Sequence, residues 1–282
     1  MADAPQILPE PPPGFTLGVS VSDSPDLARL GLTETHLRMA LGEVAQAVLI
    51  AKGRLSYGGH LRDDGFTAFL VHECERYGSR DRPFTGQIPW PVHRQLTFDQ
   101  ITALRRSLGL YGTYVFLDRT GQPIADPIAD RDSAAHDVSE TEAADSFTAA
   151  RHYFTATCDA RLIIGGQRAG FQDHMPGIVE EAILAIRAGQ PLYVSGGCGG
   201  AAGDVARVLG FDPDNWLGSP DYAARSDLRD LANAVEESGW VAASNGLAVE
   251  QNRQLATSYR ASQVASLVIH GLINVRTRPS TT

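Results

Sequence analysis

The sequence has very little lysine and cysteine. Lys52 is the only lysine among 282 residues, so chemistry that needs a lysine to bind phosphate or to form a Schiff base would have to use it. The three cysteines, Cys74, Cys158 and Cys198, are odd in number and widely spaced. That pattern fits neither a disulfide framework nor a zinc ribbon. A reducing cytoplasm is therefore the expected compartment.

Long apolar runs are also missing. No run approaches the roughly 18 residues that a membrane-spanning helix needs, so no membrane partner is expected. The first 14 residues, MADAPQILPEPPPG, lack a basic region and an apolar region, and we interpret them as a Pro-rich leader rather than a signal peptide. We expect residues 15–275 to form a single α/β domain and residues 276–282 to form a tail.

Positive charge is scarce relative to negative charge. The formal net charge is −9, and eight acidic residues but only two arginines lie between Asp118 and Asp145. A general nucleic-acid binder usually shows a basic face, so this class is disfavoured. We interpret residues 118–142 as a solvated acidic loop, with docking of a partner protein as the alternative.

Several functional motifs are absent. No G-x-x-x-x-G-K-[ST] motif occurs, which excludes a P-loop NTPase, and no H-x-x-x-H or H-E-x-x-H spacing occurs, so no metal site is predicted. Gly197, Gly199 and Ala202 fit G-x-G-x-x-A. That motif lies late in the chain, and no strand-end acid follows it at the expected distance, which argues against a dinucleotide-binding dehydrogenase.

Short apolar strands alternate with helical patterns along the chain. Strands are predicted at residues 16–22, 54–57, 113–117, 160–164 and 191–195, and the segment around Trp90 is expected to be extended. Helices are predicted at residues 33–52, 65–77, 97–108, 141–158, 176–188, 199–209, 227–237 and 249–272. Gly53 is expected to end the first helix, and Asp63 or Asp64 is expected to cap the second. Strands separated by helices indicate a Rossmann-like three-layer α/β domain with a mainly parallel sheet.

Three predicted strands are followed at once by a glycine pair: Gly58-Gly59, Gly165-Gly166 and Gly196-Gly197. In an open parallel sheet, ligands bind beyond the carboxyl ends of the strands. Paired glycines allow the backbone to approach a ligand closely there. We therefore expect glycine-rich loops at one edge of the sheet to hold a phosphate group.

The strongest local signal is SGGCGGAAGDVARVLG, from Ser195 to Gly210. A strand enters a glycine-rich loop that opens a helix, and the free N–H groups of such a helix bind anions. The alternative is a tight turn that binds nothing. Cys198 in this loop is a candidate nucleophile because a helix N-terminus favours a thiolate, but a small residue that fills a tight loop is the preferred interpretation.

Two further segments carry polar side chains close to strand ends. Arg168 follows one strand and can grip a phosphate with two hydrogen bonds, and Glu180 and Glu181 begin the next helix, where acids favour the helix dipole. A carboxylate there can also accept ribose hydroxyls or activate water. His60 and Arg62 follow Gly58-Gly59. His60 is a candidate acid or base, with a plain surface histidine as the alternative, and Arg62 is a candidate ligand contact.

The segments GVSVSDSPDLARLGL, LSYGGHLRDDGFT, ARLIIGGQRAGFQDHMPGIVEEAILAI and PLYVSGGCGGAAG together resemble the SLOG superfamily. This superfamily includes the cytokinin-activating LOG enzymes, the DNA-processing Smf/DprA proteins and the N-terminal region of TRPM channels. The resemblance is closest to its prokaryotic antiviral-conflict branch. It implies a sensor of NAD-derived or other nucleotide messengers, such as ADP-ribose or its cyclic isomers.

The predicted ligand-binding residues combine the resemblance with the strand-end positions. They are Ser20, Ser22, Gly58, Gly59, Arg62, Gly165, Gly166, Arg168, Gly177, Glu181, Ser195, Gly196, Gly197, Gly199 and Gly200. The LOG enzymes carry P-G-G-x-G-T-x-x-E, whereas this chain has Pro176-Gly177-Ile178-Val179-Glu180-Glu181 and lacks the G-T pair. The second glycine of the LOG motif is missing as well, and this departure from the motif favours binding over hydrolysis.

Three functions remain open from the sequence. The first is a nucleotide sensor that needs no cofactor and acts through a separate effector protein or as a homo-oligomer. The second is an N-glycosidic hydrolase of a nucleotide or NAD-like substrate, with Glu180 or Glu181 as the catalytic carboxylate. The third is a scaffold protein with a vestigial pocket.

Overall fold

Strand β1 (Thr16–Ser22) lies inside a seven-stranded sheet and pairs with a parallel strand on each side. The computed structural model describes residues 14–59, 61–79, 81–128, 135–171, 174–212 and 225–277. The other strands are β2 (Arg54–Tyr57), β3 (Phe84–Ile88), β4 (Gly112–Leu117), β5 (Pro123–Ile124), β6 (Ala160–Gly165) and β7 (Leu192–Ser195). Their order in the sheet is β5-β4-β3-β2-β1-β6-β7. Among the described strands, β5 alone is antiparallel to its neighbour, β4.

Helices cover both faces of the sheet. They are α1 (Glu34–Ile50), α2 (Phe66–Tyr77), α3 (Trp90–Arg94), α4 (Phe98–Ser107), α5 (Glu140–Thr157), α6 (Gly177–Arg187), α7 (Gly200–Val208), α8 (Ser226–Ser238), α9 (Val249–Thr257) and α10 (Ala261–Thr277). Helices α1, α2 and α10 pack on one face, and α5 to α8 pack on the other. The chain is thus an α/β protein with the predicted Rossmann-like three-layer architecture.

Alternate side chains of β1 point to opposite faces of the sheet and so contact both helical layers. Leu17 and Val19 point into the core that contains Leu37 and Leu41 of α1. Ser20 points to the opposite face, where Arg161 of β6 donates a hydrogen bond to its hydroxyl at 3.1 Å. Each buried aliphatic side chain contributes roughly 1.5–3 kcal/mol to folding, so the α1 face anchors the sheet. The α5–α6 face carries the buried ion pair of Arg161 and Glu181 beside a second apolar core.

Two helix boundaries correct the sequence prediction. Gly53 is not the left-handed residue that ends α1; Lys52 takes that conformation, with φ 59°. Gly53 is needed for space, since a Cβ there would lie 2.8 Å from the Val48 side chain. Neither Asp63 nor Asp64 caps α2. Gly65 is its N-cap, and the Gly65 N–H bonds to the Arg62 carbonyl in a turn before the helix.

The segment around Trp90 is not simply extended. It contains β3, which the sequence analysis did not predict, and α3, which begins at Trp90 with Pro91 in its first turn. Proline is well suited to that position because it lacks an N–H group that the helix would leave unpaired. The prediction of an extended chain holds only up to Pro89, the extended N-cap of α3.

The helix predicted over residues 249–272 is two helices. Helix α9 ends at Thr257 and α10 begins at Ala261. The Ser258 hydroxyl accepts the Arg260 N–H at 3.1 Å, and such a local bond from serine competes with helical pairing. The pattern of apolar residues continued across the break and hid it.

The acidic segment is only partly described. It includes β5, and α5 begins at Glu140 after the N-cap Ser139, but residues 129–134 lie outside the described residues. The division into a leader, one domain and a tail stays a prediction. No described helix is long and apolar enough to cross a membrane.

Candidate ligand site at the carboxyl edge

The carboxyl ends of β1, β2, β6 and β7 lie along one edge of the sheet because these strands run parallel. The strand order reverses beside β1: β2 to β4 extend to one side, and β6 and β7 extend to the other. In open α/β sheets this switch point is where ligands bind. The three glycine pairs follow β2, β6 and β7 and therefore lie at this edge.

The loops after β6 and β7 meet backbone to backbone. The Gly166 N–H bonds to the Ser22 carbonyl at 3.0 Å, and the Ala201 N–H bonds to the Gly166 carbonyl at 3.0 Å. A Cβ at Gly165 would lie 2.5 Å from the Ser22 carbonyl oxygen, and one at Gly200 would lie 2.5 Å from the Gly166 carbonyl oxygen. Both glycines have positive φ, so these positions need glycine for close approach and for conformation.

Gly196 and Gly197 allow a close approach to a different part of the backbone. A Cβ at Gly197 would lie 2.1 Å from the Ser258 carbonyl oxygen, and one at Gly196 would lie 2.7 Å from the Ala256 carbonyl oxygen. Both glycines thus pack against the backbone at the end of α9 and just beyond it. Their role as ligand contacts stays a prediction, but their immediate neighbours are protein backbone.

An anionic side chain already occupies the N-terminus of α7. The Asp26 carboxylate accepts the Gly200 N–H at 2.9 Å and lies 2.7 Å from the Arg168 guanidinium. Gly199 leaves room for it, because a Cβ there would lie 2.5 Å from the Asp26 Cβ. Burial raises the pKa of Asp26, but the Gly200 hydrogen bond and the Arg168 charge outweigh burial and leave this pKa below its ordinary value.

Arg168 is bound by carboxylates on two sides. Besides Asp26, it donates two hydrogen bonds to Asp204 of α7, at 2.7 and 2.9 Å, and one to the Gly200 carbonyl at 3.2 Å. Asp204 is fully buried and also pairs with Arg225 at 3.1 Å. Desolvation lowers the pKa of Arg168, but these carboxylates outweigh it and the net pKa is raised. Asp26, Asp204 and the Gly200 carbonyl thus already occupy most of the Arg168 N–H groups.

Glu180 and Glu181 belong to a second ionic cluster, between α5, α6 and β6. Glu180 accepts hydrogen bonds from Arg151 and Thr148, at 2.5 and 2.6 Å. Glu181 lies 3.3 Å from Arg161 and 3.6 Å from Arg151. Gly177 makes room for this cluster, since a Cβ there would lie 2.5 Å from the Arg151 guanidinium. Both glutamates are therefore paired with arginine.

Arg161 is fully buried on a central strand. Its guanidinium donates to the hydroxyls of Ser20 and Thr155, at 3.1 and 3.0 Å, and stacks 4.2 Å from the Phe154 ring centroid. A charge buried this deeply is costly unless it is fully paired. The cluster thus uses Ser20 inside the protein rather than at the open edge.

The model of the SLOG cluster2 family matches residues 13–272. The chain belongs to this SLOG family. No curated protein matches the chain. Membership indicates binding or processing of a nucleotide-related ligand. In this SLOG fold, the backbone N–H donor of Gly200 lies at the switch-point edge.

The β2 side of the SLOG edge is more open. Gly58 is exposed and Gly59 is half-buried, and a Cβ at Gly59 would collide with the Tyr57 ring. Burial raises the pKa of Tyr57, whose hydroxyl donates to the Val21 carbonyl at 3.1 Å. Arg62 is exposed, and no ion pair or hydrogen bond joins its side chain to another described residue.

The remaining predicted residues have diverse surroundings. The Ser22 hydroxyl accepts the Gln167 N–H at 3.3 Å, whereas the Ser195 hydroxyl is buried with no hydrogen-bond partner among the described residues. Burial raises the pKa of Cys198 to about 11, which opposes the thiolate hypothesis. His60 lies outside the described residues. The described residues contain no group of His, Cys, Asp and Glu that could hold a metal ion.

Sequence reasoning missed the charged partners of the predicted residues. Asp26, Asp204 and Arg225 complete the network around Arg168, and Arg161 completes the network around Glu181. One signal was available for Arg161: it is the one charged residue in the apolar strand ARLIIG. Asp26 lies in a turn after β1, and nothing local relates it to Gly200, 174 positions later.

Proposed function

We propose that this SLOG protein is a non-catalytic sensor of a nucleotide derived from NAD or ADP-ribose, linear or cyclic. Its phosphate would bind at the N-terminus of α7, between the loops after β6 and β7. The family supports a nucleotide-related ligand. The resemblance of the sequence to the antiviral-conflict branch supports a signal of this chemical class in a prokaryotic defence or stress response.

One observation carries the proposal: the site already holds an anion. The Asp26 carboxylate has the charge and the hydrogen-bond acceptors that a phosphate oxygen would bring, and it contacts both Gly200 N–H and Arg168. Helix N-termini favour anions through free N–H groups and the helix dipole. A nucleotide phosphate would replace Asp26 there and keep Arg168 paired.

The contacts of the two glutamates favour a sensor over a hydrolase. A catalytic base must reach water or substrate, and Glu180 and Glu181 are instead paired with Arg151 and Arg161. Releasing Glu181 would take the carboxylate away from the fully buried Arg161, and releasing Glu180 would break its short hydrogen bond with Arg151. We therefore propose a structural role for both, and an effector that is a separate protein or another copy of this chain.

Binding and turnover can be separated in one titration. The purified full chain is titrated calorimetrically with ADP-ribose, cyclic ADP-ribose isomers, NAD and AMP, and each mixture is then analysed by chromatography. We expect saturable binding of ADP-ribose, a cyclic isomer or NAD without release of a free base, and AMP serves as the comparison ligand. Release of base would support the hydrolase, and binding of neither ADP-ribose, its cyclic isomers nor NAD would contradict the proposal.

The variant Asp26→Asn tests the replacement of Asp26. Removing its charge weakens the internal competitor, because hydrogen bonds to ionised groups are about twice as strong as neutral ones. We expect the affinity for the best ligand to rise about tenfold, which corresponds to about 1.4 kcal/mol. The matched control is Asp23→Asn, a nearby carboxylate with no described contact to Gly200. A fall in affinity for Asp26→Asn would show that Asp26 itself binds the ligand.

A further inference from the structure

A groove separates α2 from α4 on the α1 face of the sheet. Helix α2 packs on α1 and β3, whereas α4 packs on β4. Ile101 is the one buried residue of α4, so this helix covers little of the sheet beneath it. The space between the two helices has a volume of about 680 Å³. Small-molecule sites commonly have volumes of roughly 300–1,000 Å³.

Tyr114 lines this groove from the sheet. It pairs in register with Gly86 of β3, and a Cβ at Gly86 would lie 2.3 Å from the Tyr114 ring. The ring thus lies against the backbone of β3, and Gly86 makes this possible. The ring is half-buried, and burial raises the pKa of the Tyr114 hydroxyl. The groove therefore contains an aromatic ring that packs on the backbone of the sheet.

The helices provide apolar walls. Ala68 and Val71 line the groove from α2, and Ala103 and Leu104 line it from α4. Leu61 and Leu96 also line it. Apolar walls beside an aromatic ring favour a flat aromatic ring as the occupant, because aromatic rings stack on one another with an offset.

Arg62 also lines the groove and contributes a positive charge that other described side chains do not pair. This differs from Arg168, which three described protein groups bind. Asp63 and Glu75 line the same groove and offer carboxylate oxygens to hydroxyl groups. The combination is a stacking ring, one available guanidinium and hydrogen-bond acceptors for hydroxyls.

We propose that the groove between α2 and α4 is a second ligand site, which binds a nucleoside monophosphate by stacking its base on Tyr114 and pairing its phosphate with Arg62. The groove is distinct from the site at α7. Strands β4 and β6 are four positions apart in the sheet, about 19 Å at the usual strand spacing. The two sites can therefore be tested separately.

AMP and adenosine are the probes, titrated into the full chain and followed by NMR of their base protons. We expect AMP to bind with an upfield shift of these protons, caused by the Tyr114 ring. Tyr114→Phe should keep affinity within about threefold, and Tyr114→Ser should weaken it at least tenfold, since stacking on an aromatic side chain contributes about 1–3 kcal/mol per base. Arg62→Met should weaken AMP about tenfold and leave adenosine unchanged.

Filling the groove gives the decisive comparison. Ala103→Trp places a large side chain in it, and Arg106→Trp places the same side chain on an exposed position of α4 that does not line it. We expect Ala103→Trp to abolish the upfield shift and Arg106→Trp to retain it, with both variants folded by circular dichroism. Equal AMP binding by the two variants would overturn the proposal. An Ala103→Trp variant that changes its oligomeric state but not its AMP binding would overturn it as well. Asp26→Asn should leave the shift unchanged, so the failure of one site does not imply failure of the other.

Discussion

The two ends of the carboxyl edge differ in how their arginines are used. At the β6–β7 end, Arg168 is bound by Asp26, Asp204 and the Gly200 carbonyl. At the β2 end, Arg62 is exposed and has no ion pair among the described residues. The first end is filled by the protein's own anions, and the second is open to solvent.

This difference separates two roles that look alike in sequence. An arginine a few residues after a glycine pair suggests phosphate contact in either place. The buried one contributes to stability, because its removal leaves carboxylates without a counter-charge. The exposed one contributes little to stability and remains available to a ligand. Stability measurements can therefore tell the two ends apart without any ligand.

The largest expected effect comes from replacing the arginines. We expect Arg168→Met to lower the free energy of unfolding by about 3 kcal/mol or more, since it leaves Asp26 and the buried Asp204 with less charge compensation. Arg62→Met is the matched variant, and its effect should stay within about 0.5 kcal/mol. Urea unfolding followed by circular dichroism measures both. Similar losses of unfolding free energy in the two variants would contradict the proposed difference between Arg168 and Arg62.

Replacing a glycine at each end of the edge should show the same difference in stability, with a smaller loss of unfolding free energy. Gly200→Ala meets the Gly166 carbonyl oxygen and a φ of 68°. We expect a cost of about 2–4 kcal/mol from close packing and left-handed strain. At the open end, Gly58→Ala meets its nearest atom at 3.9 Å and should cost under about 1 kcal/mol.

Gly189→Ala separates strain from packing at Gly200. Gly189 has a φ of 63°, but a Cβ there would meet nothing within 4 Å. Its cost in urea unfolding should therefore be about 1–2 kcal/mol, from left-handed strain alone. If Gly200→Ala costs no more than Gly189→Ala, the close approach of the two loops is not as tight as the distances indicate.

The smallest effect concerns acid pH. The pKa of Asp26 in the folded chain lies below its ordinary value of 3.8. Its ionised form is thus favoured by folding, and this stabilisation is present above pH 3.8 and is lost as pH falls through the lower folded pKa. The stability difference between wild type and Asp26→Asn should shrink as pH falls from 6 to 3, measured by urea unfolding at each pH. A difference that stays constant over this range would contradict the pairing of Asp26 with Gly200 and Arg168.

Much of the fold could be predicted because it depends on local patterns. Strand β1 has the predicted bounds, and the alternation of strands and helices correctly indicated the parallel sheet. Errors arose where a tertiary contact replaced a local rule. Gly53 lies where the Val48 side chain leaves no space for a Cβ, and Gly65 begins α2 although two aspartates precede it.

The site was only partly predictable for the same reason. Paired glycines after buried strands identified the edge of the sheet. They did not reveal which glycines contact a ligand and which contact backbone, as Gly197 does at Ser258. Long-range charge pairs such as Asp26 with Arg168 leave no spacing signal, because the two residues come from separate loops that only the folded sheet brings together.

A crystal structure of the full chain with ADP-ribose tests the central claim most directly. We expect a phosphate oxygen of the ligand within hydrogen-bonding distance of the Gly200 N–H and of Arg168, with the Asp26 carboxylate moved away from both. A bound ligand elsewhere, with the hydrogen bond from Gly200 to Asp26 intact, would contradict it.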